Sequence, residues 1–143
     1  MNIERASCCC GNIEARVELS KPVSSFTPRA CDCNFCTRHG AAYISDPNGK
    51  LVIKIRNPNE IVKYKHGSGV ADFLTCKLCG VFVAVTFSQE EQLLGSLNSR
   101  ILENMSDLPE PQNISPKLLP DTDKLGRWEQ IWFQRVTIES SDS

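Results

Sequence analysis

The segment ACDCNFCTRHG, residues 30–40, contains Cys31, Cys33 and Cys36, which are close enough in the chain for three thiolates to bind one metal ion. Three protein ligands with an open fourth position are typical of a reactive zinc site, whereas four are typical of a structural one. Three thiolates give a Zn²⁺ cluster a net charge of about −1, so the ion should be a weaker Lewis acid than one held by imidazoles. The spacing favours a centre that takes a further thiol and holds it as a thiolate nucleophile over one that activates water.

Other interpretations of this three-cysteine group stay open. His39 follows Cys36 by three residues and could fill the fourth position, which would give a closed Cys₃His site without chemistry. The group could also be redox-labile and hold no metal ion. Arg38 could bind a carboxylate or offset the negative charge of the cluster, but a solvated surface arginine is the simpler interpretation.

A second group of cysteines has the spacing of a structural zinc site. Cys76 and Cys79 form a C-x-x-C knuckle, in which Gly80 supplies the unusual backbone angle that the turn needs. Cys8 and Cys10 are the best candidates for the other two ligands, because positions two apart on an extended strand face the same way. Such a site contributes folding free energy on the order of 10 kcal/mol. A thioredoxin-like dithiol is less favoured for the knuckle, since β-type residues follow it instead of a helix.

Four further residues have simpler structural interpretations. Cys9 would point away from the metal site and is most simply a small buried side chain, unless it is a redox-sensitive thiol. His66 is expected to be an exposed loop histidine. Trp128 and Trp132 are more consistent with core packing than with a ligand platform.

Composition limits the class of protein. A chain of 143 residues with 41% hydrophobic and 23% charged residues fits one globular domain, spanning residues 1–143. A net charge of −1 gives no overall basic field of the kind that accompanies nucleic-acid or polybasic membrane contacts. The longest apolar run, residues 81–85, is far shorter than the ~18 residues of a membrane span, and the first ten residues do not read as a secretory signal. We therefore expect a cytoplasmic protein, in which eight cysteines indicate metal ligands more than disulfides.

The elements that must position these cysteines are mostly β-strands. Residues 11–21 alternate apolar and charged side chains with the period of a half-buried strand. Shorter β-type runs separated by Gly, Pro and Asn turn signals occupy residues 41–45, 51–56, 61–66, 70–75 and 81–87. The pattern predicts a mainly β, antiparallel domain.

The remainder of the chain is less regular. Residues 88–95 could form one or two helical turns between Ser88 and Gly95, and residues 96–102 could form another strand. Residues 106–121 contain four prolines and are predicted to be a surface loop. Residues 126–139 fit either a helix or a strand, and their aromatic side chains are expected to dock on the core.

Taken together, the segments SCCCGNIEARV, CDCNFCTRHGA and FLTCKLCGVFVAV resemble the glutathione-dependent formaldehyde-activating enzyme family, which includes the centromere protein V relatives. The resemblance covers about residues 7–87 and leaves 104–143 as an extension. It implies a zinc-stapled antiparallel β-tent fold, related to the zinc-binding Rab accessory proteins and the B-type methionine sulfoxide reductases. It also implies two zinc ions, a structural one held by Cys8, Cys10, Cys76 and Cys79 and a reactive one held by Cys31, Cys33 and Cys36.

The activity that names this family is the condensation of formaldehyde with glutathione to S-hydroxymethylglutathione, a carbon–sulfur lyase reaction. The resemblance therefore implies a zinc-dependent protein of that type, which handles a thiol adduct of a small aldehyde and takes a small thiol such as glutathione as its partner. The alternative is a non-catalytic, zinc-stapled module that presents a β surface to a protein. The missing basic field disfavours chromatin association, and the lack of any cysteine after Cys79 disfavours a sulfoxide reductase.

Overall fold

The computed structural model describes residues 2–65 and 70–140. Its strands are β1 (Asn2–Ser7), β2 (Ile13–Leu19), β3 (Arg29–Cys31), β4 (Tyr43–Ile44), β5 (Lys50–Ile55), β6 (Ile61–Lys65), β7 (Asp72–Cys76), β8 (Phe82–Gln89), β9 (Gln92–Asn98), β10 (Gln112–Ile114) and β11 (Val136–Ser140). The helices are α1 (Asn34–His39) and α2 (Asp121–Ile131), with 3₁₀ turns at Val23–Ser25, Pro58–Glu60, Ser99–Ile101, Met105–Asp107 and Pro116–Leu118.

The described strands form two sheets. The four-stranded sheet has the order β1-β2-β5-β11, and the seven-stranded sheet has the order β10-β3-β4-β9-β8-β7-β6. The prediction of a mainly β chain is confirmed. The alternation predicted for β2 is also confirmed, because Ile13, Ala15, Val17 and Leu19 are buried while Glu14 and Arg16 are exposed.

The sheets are mixed, so the prediction of a wholly antiparallel architecture is wrong. Strand β11 runs parallel to β5, with Val136 opposite Leu51, and β10 runs parallel to β3, with Ile114 opposite Cys31. Both parallel strands come from the C-terminal part of the chain. Parallel strands are joined by a long connection, so each of these strands pairs with one that is distant in the chain. The local pattern of a segment does not show such a distant partner.

Residues 88–95 do not form the predicted helical turns. They belong to the β8–β9 hairpin, whose turn contains Glu90 with a positive φ of 55°. Leu93 packs on one apolar cluster and Leu94 on the other, so successive side chains point to opposite faces. Gly95 lies in β9 and does not end a helix. It exchanges two backbone hydrogen bonds with Phe133.

The remaining predictions for the last third of the chain are partly right. The predicted strand at 96–102 ends at Asn98 and continues as a 3₁₀ turn, while the predicted loop at 106–121 contains the short strand β10. The ambiguous segment contains both alternatives, because α2 ends at Ile131 and β11 begins at Val136. The HGSG turn and His66 lie outside the described residues.

Two apolar clusters divide the interior. The larger lies between the two sheets and includes Ile13, Leu51, Leu74, Leu97 and Phe133. The smaller, which we call the aromatic cluster, comprises buried Cys36, Ala41, Tyr43, Ala71, Phe82, Val85, Leu94 and Trp132, with Trp128 and Phe35 at its margin. Neither helix in the described part of the chain has the length and apolar composition needed to cross a bilayer.

Candidate metal centres and the adjoining cavity

Four cysteines that are distant in the chain meet at one edge of the larger apolar cluster. We call Cys8, Cys10, Cys76 and Cys79 the quartet; their Sγ atoms all lie within 4.8 Å of one another. The Sγ atom of Cys10 lies 3.8 Å from that of Cys8 and 3.6 Å from that of Cys76. A tetrahedral ion with metal–sulfur bonds near 2.3 Å separates its thiolates by about 3.8 Å. The quartet therefore has the donor set and the spacing to hold a metal ion.

Each half of the quartet lies at the tip of a β-hairpin. The backbone N–H of Cys8 donates to the carbonyl of Ile13 at 3.0 Å, and that of Cys76 donates to the carbonyl of Val81 at the same distance. The two hairpins, β1–β2 and β7–β8, thus have turns of equal span, with thiols two residues apart in the first and three apart in the second. Cys8 and Cys10 lie in the turn, so the prediction that they lie on a strand is wrong.

A glycine follows the last cysteine of each turn and has a positive φ. The angle is 83° at Gly11 and 76° at Gly80, a region that residues with a Cβ rarely adopt. The expectation for Gly80 is confirmed, and Gly11 is its counterpart in the other hairpin. Both turns therefore depend on a residue without a side chain.

The backbone around the quartet favours negative charge on sulfur. The N–H of Ile13 donates to Cys8 Sγ at 3.3 Å. Burial raises the pKa of Cys79, but hydrogen bonds from the backbone at Cys10 and Val81 outweigh it and lower this pKa to about 6. Hydrogen bonds to a charged thiolate favour that form at Cys79, whereas burial raises the pKa of Cys8, so all four thiols ionise together only when a cation compensates their charge.

The second group lies in one short segment. We call Cys31, Cys33 and Cys36 the trio; their Sγ atoms also lie within 4.8 Å of one another. Cys31 ends β3, Cys33 is the N-cap of α1, and Cys36 lies in the first turn of that helix. The Sγ atom of Cys33 accepts a hydrogen bond from the N–H of Cys36 at 3.4 Å, so the cap itself fixes one candidate ligand.

Tyr43 is attached to the trio from the neighbouring strand. Its hydroxyl lies 2.8 Å from Cys36 Sγ, and both side chains are buried. Hydrogen bonding with the other trio thiols, together with burial, raises the pKa of Cys36, while burial first and the nearby sulfur second raise that of Tyr43. Thiols crowded in this way ionise together only when a cation compensates their charge, which is the behaviour of a metal site.

Among the described residues no histidine, cysteine or carboxylate joins the trio as a fourth ligand. His39 is exposed, and its ring packs on Phe35 with a centroid distance of 4.4 Å. The closed Cys₃His arrangement is therefore absent from this conformation. Arg38 is exposed as expected and bonds the carbonyl of Asn34 within its own helix. Cys9 is exposed, so the expectation that it is buried is wrong: it lies in the turn, away from the core.

All three trio cysteines line a cavity of about 150 Å³. Its other wall residues come from many parts of the chain: Arg29, Tyr43, Ala71, Phe73, Val85, Ser96, Ile114, Pro116, Lys124, Arg127, Trp128 and Trp132. The rings of Trp128 and Trp132 are stacked, with centroids 4.5 Å apart and planes inclined by 15°. We call this space the trio cavity; the quartet does not line it.

The sequence argument missed several of these residues. Arg29 precedes Cys31 by two positions in β3, so the two side chains share a face, a relation that the chain itself contains. Arg127 and Trp128 lie three and four residues after Lys124 on α2, one face of a helix. The expectation that the tryptophans belong to the core holds for Trp132, which is buried, but both also form a wall of the cavity.

The cavity is electropositive. Burial first, and repulsion from Arg127 second, lower the pKa of Arg29 to about 10, and burial lowers that of Arg127. Arg29 Nη2 bonds the hydroxyls of Ser45 at 2.7 Å and Ser96 at 3.3 Å. Neither arginine forms an ion pair with a carboxylate in the described ranges 2–65 and 70–140. Two guanidinium groups are thus held close together beside the trio, an arrangement with an electrostatic cost.

Comparisons with known proteins give little functional information. No family model matches the chain, and no curated protein matches it. The chain is similar to a crystal structure of a Rhodobacter sphaeroides protein, a structural-genomics target, with 26% sequence identity and a TM-score of 0.55. The similarity covers 75% of this chain and 97% of that one, and the description of that structure states no activity.

Proposed function

We propose that the protein binds two zinc ions, a structural one at the quartet and a reactive one at the trio, and that it acts as a carbon–sulfur lyase on a thiol adduct of a small aldehyde. The observation that carries this proposal is that the three trio thiols converge on the wall of a cavity. A thiol entering that cavity can approach the position that a fourth ligand would take. The four thiols of the quartet complete a tetrahedral set without a ligand from outside.

The proposed reaction adds a thiol to an aldehyde carbonyl. The sulfur forms a bond to the carbonyl carbon, the π electrons move to the oxygen, and the proton lost by the thiol ends on that oxygen; the lyase direction is the reverse. Zinc held by three thiolates would supply a site at which a thiol is bound as thiolate near neutral pH. Tyr43 holds Cys36 in place through their 2.8 Å contact.

The resemblance of the cysteine segments to the glutathione-dependent formaldehyde-activating family supports the same proposal. So does the burial of the trio in an aromatic environment, which strengthens electrostatic interactions with a bound thiolate. We extend the proposal to the fold: the two sheets, joined at one edge by the quartet, would correspond to the β-tent of that family, with β10, α2 and β11 as additions. Glutathione is the first thiol to test.

The test is an exchange measurement. Zinc-loaded protein is mixed with formaldehyde and glutathione, cysteine or an aryl thiol, and the rates of adduct formation and breakdown are measured by exchange NMR. We expect catalysis with at least one thiol and its loss in Cys33→Ser, with Cys9→Ser as the matched control because Cys9 is exposed and outside both groups. Equal rates with and without protein for every thiol would reject the lyase proposal.

A different observation favours the alternative, a zinc-stapled binding module. Strand β6 is at the edge of the seven-stranded sheet and exposes Val62 and Tyr64, which are 44% and 47% accessible. Edge strands with exposed apolar side chains can pair with a strand of another protein. If the alternative is right, Val62→Lys abolishes binding of a partner while loss of the trio metal does not, and no thiol perturbs the trio.

A further inference from the structure

The trio cavity has features that the addition of a thiol to an aldehyde does not use. That reaction needs a thiolate site and a dry space, yet the cavity also contains two arginines without carboxylate partners among the described residues and a stacked pair of tryptophans. Formaldehyde offers nothing for an arginine or an aromatic wall to bind. These groups must therefore be considered as a binding site for the rest of the thiol.

Charge indicates what the arginines bind. A zinc ion with three thiolates carries about −1, and Arg29 with Arg127 carries +2, so the centre keeps about +1. A bound thiolate brings this to about zero. A ligand with a thiolate alone leaves both guanidinium groups without a hydrogen-bonded anion, whereas a carboxylate on the same ligand can accept hydrogen bonds from them. Guanidinium groups bind carboxylates with directed, charge-assisted hydrogen bonds.

The geometry of Arg29 supports such binding. Two serines hold its Nη2 atom, and each serine is itself fixed: Ser45 Oγ donates to the carbonyl of Ile131 at 2.6 Å and Ser96 Oγ to that of Ile44 at 3.2 Å. The guanidinium group has five N–H donors, and only those on Nη2 bond protein atoms within the described ranges. A side chain held in this way needs little reorganisation to bind an anion, which favours affinity.

Size and shape indicate the body of the ligand. A cavity of about 150 Å³ is the size that holds a benzene-sized molecule. Trp128, Trp132 and Phe73 give it aromatic walls, and Ala71 and Val85 are apolar. A tripeptide such as glutathione is much larger and could place only its cysteinyl part inside. A compact, planar or otherwise apolar body fits the whole space.

We propose, on the basis of the proposed function, that the thiol accepted at the trio is a small mercaptocarboxylate with an aromatic or compact apolar body, whose carboxylate is bound by Arg29 and Arg127 while its sulfur faces the trio. Arg127 selects for the carboxylate, since its guanidinium group lines the cavity and forms no hydrogen bond with side chains or backbone in the described residues. Arg29 is the preorganised half of the pair. Trp128 and Trp132 contact the body of the ligand.

The experiment measures binding to zinc-loaded protein by calorimetry at constant ionic strength, with free zinc monitored to detect chelation. The probes are para- and meta-mercaptobenzoate, the neutral isostere para-mercaptobenzamide, and glutathione. We expect the better mercaptobenzoate to bind at least about tenfold more tightly than the amide and more tightly than glutathione. Arg127→Gln should remove this advantage without weakening the amide, and Arg127→Lys should restore part of it.

Arg38→Gln is the matched control, because Arg38 is an exposed arginine close to the trio in the chain that does not line the cavity. It should leave every affinity unchanged. If the amide and the carboxylates bind equally, or if glutathione binds best, the inference is wrong while thiol binding at the trio stands. If no thiol binds, both the inference and the proposed function fail.

Discussion

The quartet and the trio use the same side chain in different surroundings, as their positions in the chain and in the fold show. Cys10 and Cys76 are 66 positions apart, and the quartet joins the tips of two hairpins at the edge of the larger apolar cluster. The trio spans six residues at the start of α1 and borders a cavity lined with aromatic and basic side chains. Both groups can hold a metal ion, and the trio lines a cavity that the quartet does not line.

The difference teaches that loop length and ligand number together separate a structural site from a reactive one. A link that closes a long loop removes much of the conformational entropy of the unfolded chain, whereas a link within six residues removes little. Four thiols complete a tetrahedron, and three leave one position. Each of the following changes is expected to affect one group and spare the other.

Removing one quartet ligand should have the largest effect. Cys76 is fully buried. Cys76→Ser replaces one of the four candidate thiol ligands with a buried hydroxyl, so the metal ion that should join the two hairpins loses a ligand. Because a structural zinc contributes on the order of 10 kcal/mol and a domain is stable by only ~5–15 kcal/mol, we expect this variant to be unfolded. Circular dichroism and the zinc content of the purified protein measure the outcome.

Cys36→Ser is the matched change in the trio, since Cys36 is also a buried cysteine with sulfur neighbours. It should give a folded protein with one metal ion fewer. Equal damage to folding by the two substitutions would mean that the division into structural and reactive sites is wrong.

Metal removal should distinguish the groups next. In zinc-loaded wild-type protein challenged with a chelator, we expect one equivalent to leave at least about tenfold faster than the other, because three protein ligands hold an ion less firmly than four. A colorimetric zinc indicator records the two phases. In Cys36→Ser the fast phase should disappear; a fast phase that persisted there would assign the labile ion to the quartet.

Tyr43→Phe should have a moderate effect confined to the trio. The substitution removes the hydroxyl that lies 2.8 Å from Cys36 Sγ and keeps the ring in the aromatic cluster. Loss of a hydrogen bond to a metal ligand lowers metal affinity by about tenfold or more. Competition with a chelator of known affinity measures it. Tyr64→Phe, on the exposed face of β6, is the control, and an equal loss there would argue against a specific role of Tyr43.

The smallest effect is spectroscopic. Both tryptophans of the chain lie in the wall of the trio cavity, and none lies near the quartet in the described structure. Cobalt bound at the trio should therefore quench tryptophan fluorescence, whereas cobalt bound at the quartet should change it little. The titration is compared between wild-type protein and Cys36→Ser. Unchanged quenching in the variant would contradict the assignment of the tryptophans to the trio site.

The sequence was sufficient to group the cysteines but not to explain their geometry. Sulfur is rare and its ligand spacing is narrow, so the quartet and the trio could be predicted, and both groups come together in the structure. The reason given for Cys8 and Cys10 was wrong, because a turn with Gly11 at positive φ, and not a strand, brings these thiols together. Local spacing limits which cysteines meet, but several backbone conformations satisfy the same spacing.

Strands with alternating side chains were likewise predictable, as for β2, because alternation depends on immediate neighbours in the chain. The prediction that residues 88–95 could form helical turns was wrong. Leu93 and Leu94 pack on two different apolar clusters, and the local periodicity of the sequence does not show that both clusters exist. The parallel pairing of β10 with β3 and of β11 with β5 could not be predicted from local pattern either, because each partner strand lies many residues earlier in the chain.

The sequence by itself determined the candidate ligands, seven of eight cysteines in two groups, and the β-strands on either side of them. Only the tertiary structure decided what the trio faces. Arg127 and the two tryptophans come from a segment far from the trio in the chain, and they meet the trio because β3, β4 and α2 pack around one cavity. The pairing of Cys8 with Cys10, the pairing of Cys76 with Cys79 and the grouping of the trio depend on close spacing, which a sequence records, whereas a binding cavity depends on packing among elements, which arises only when the chain folds.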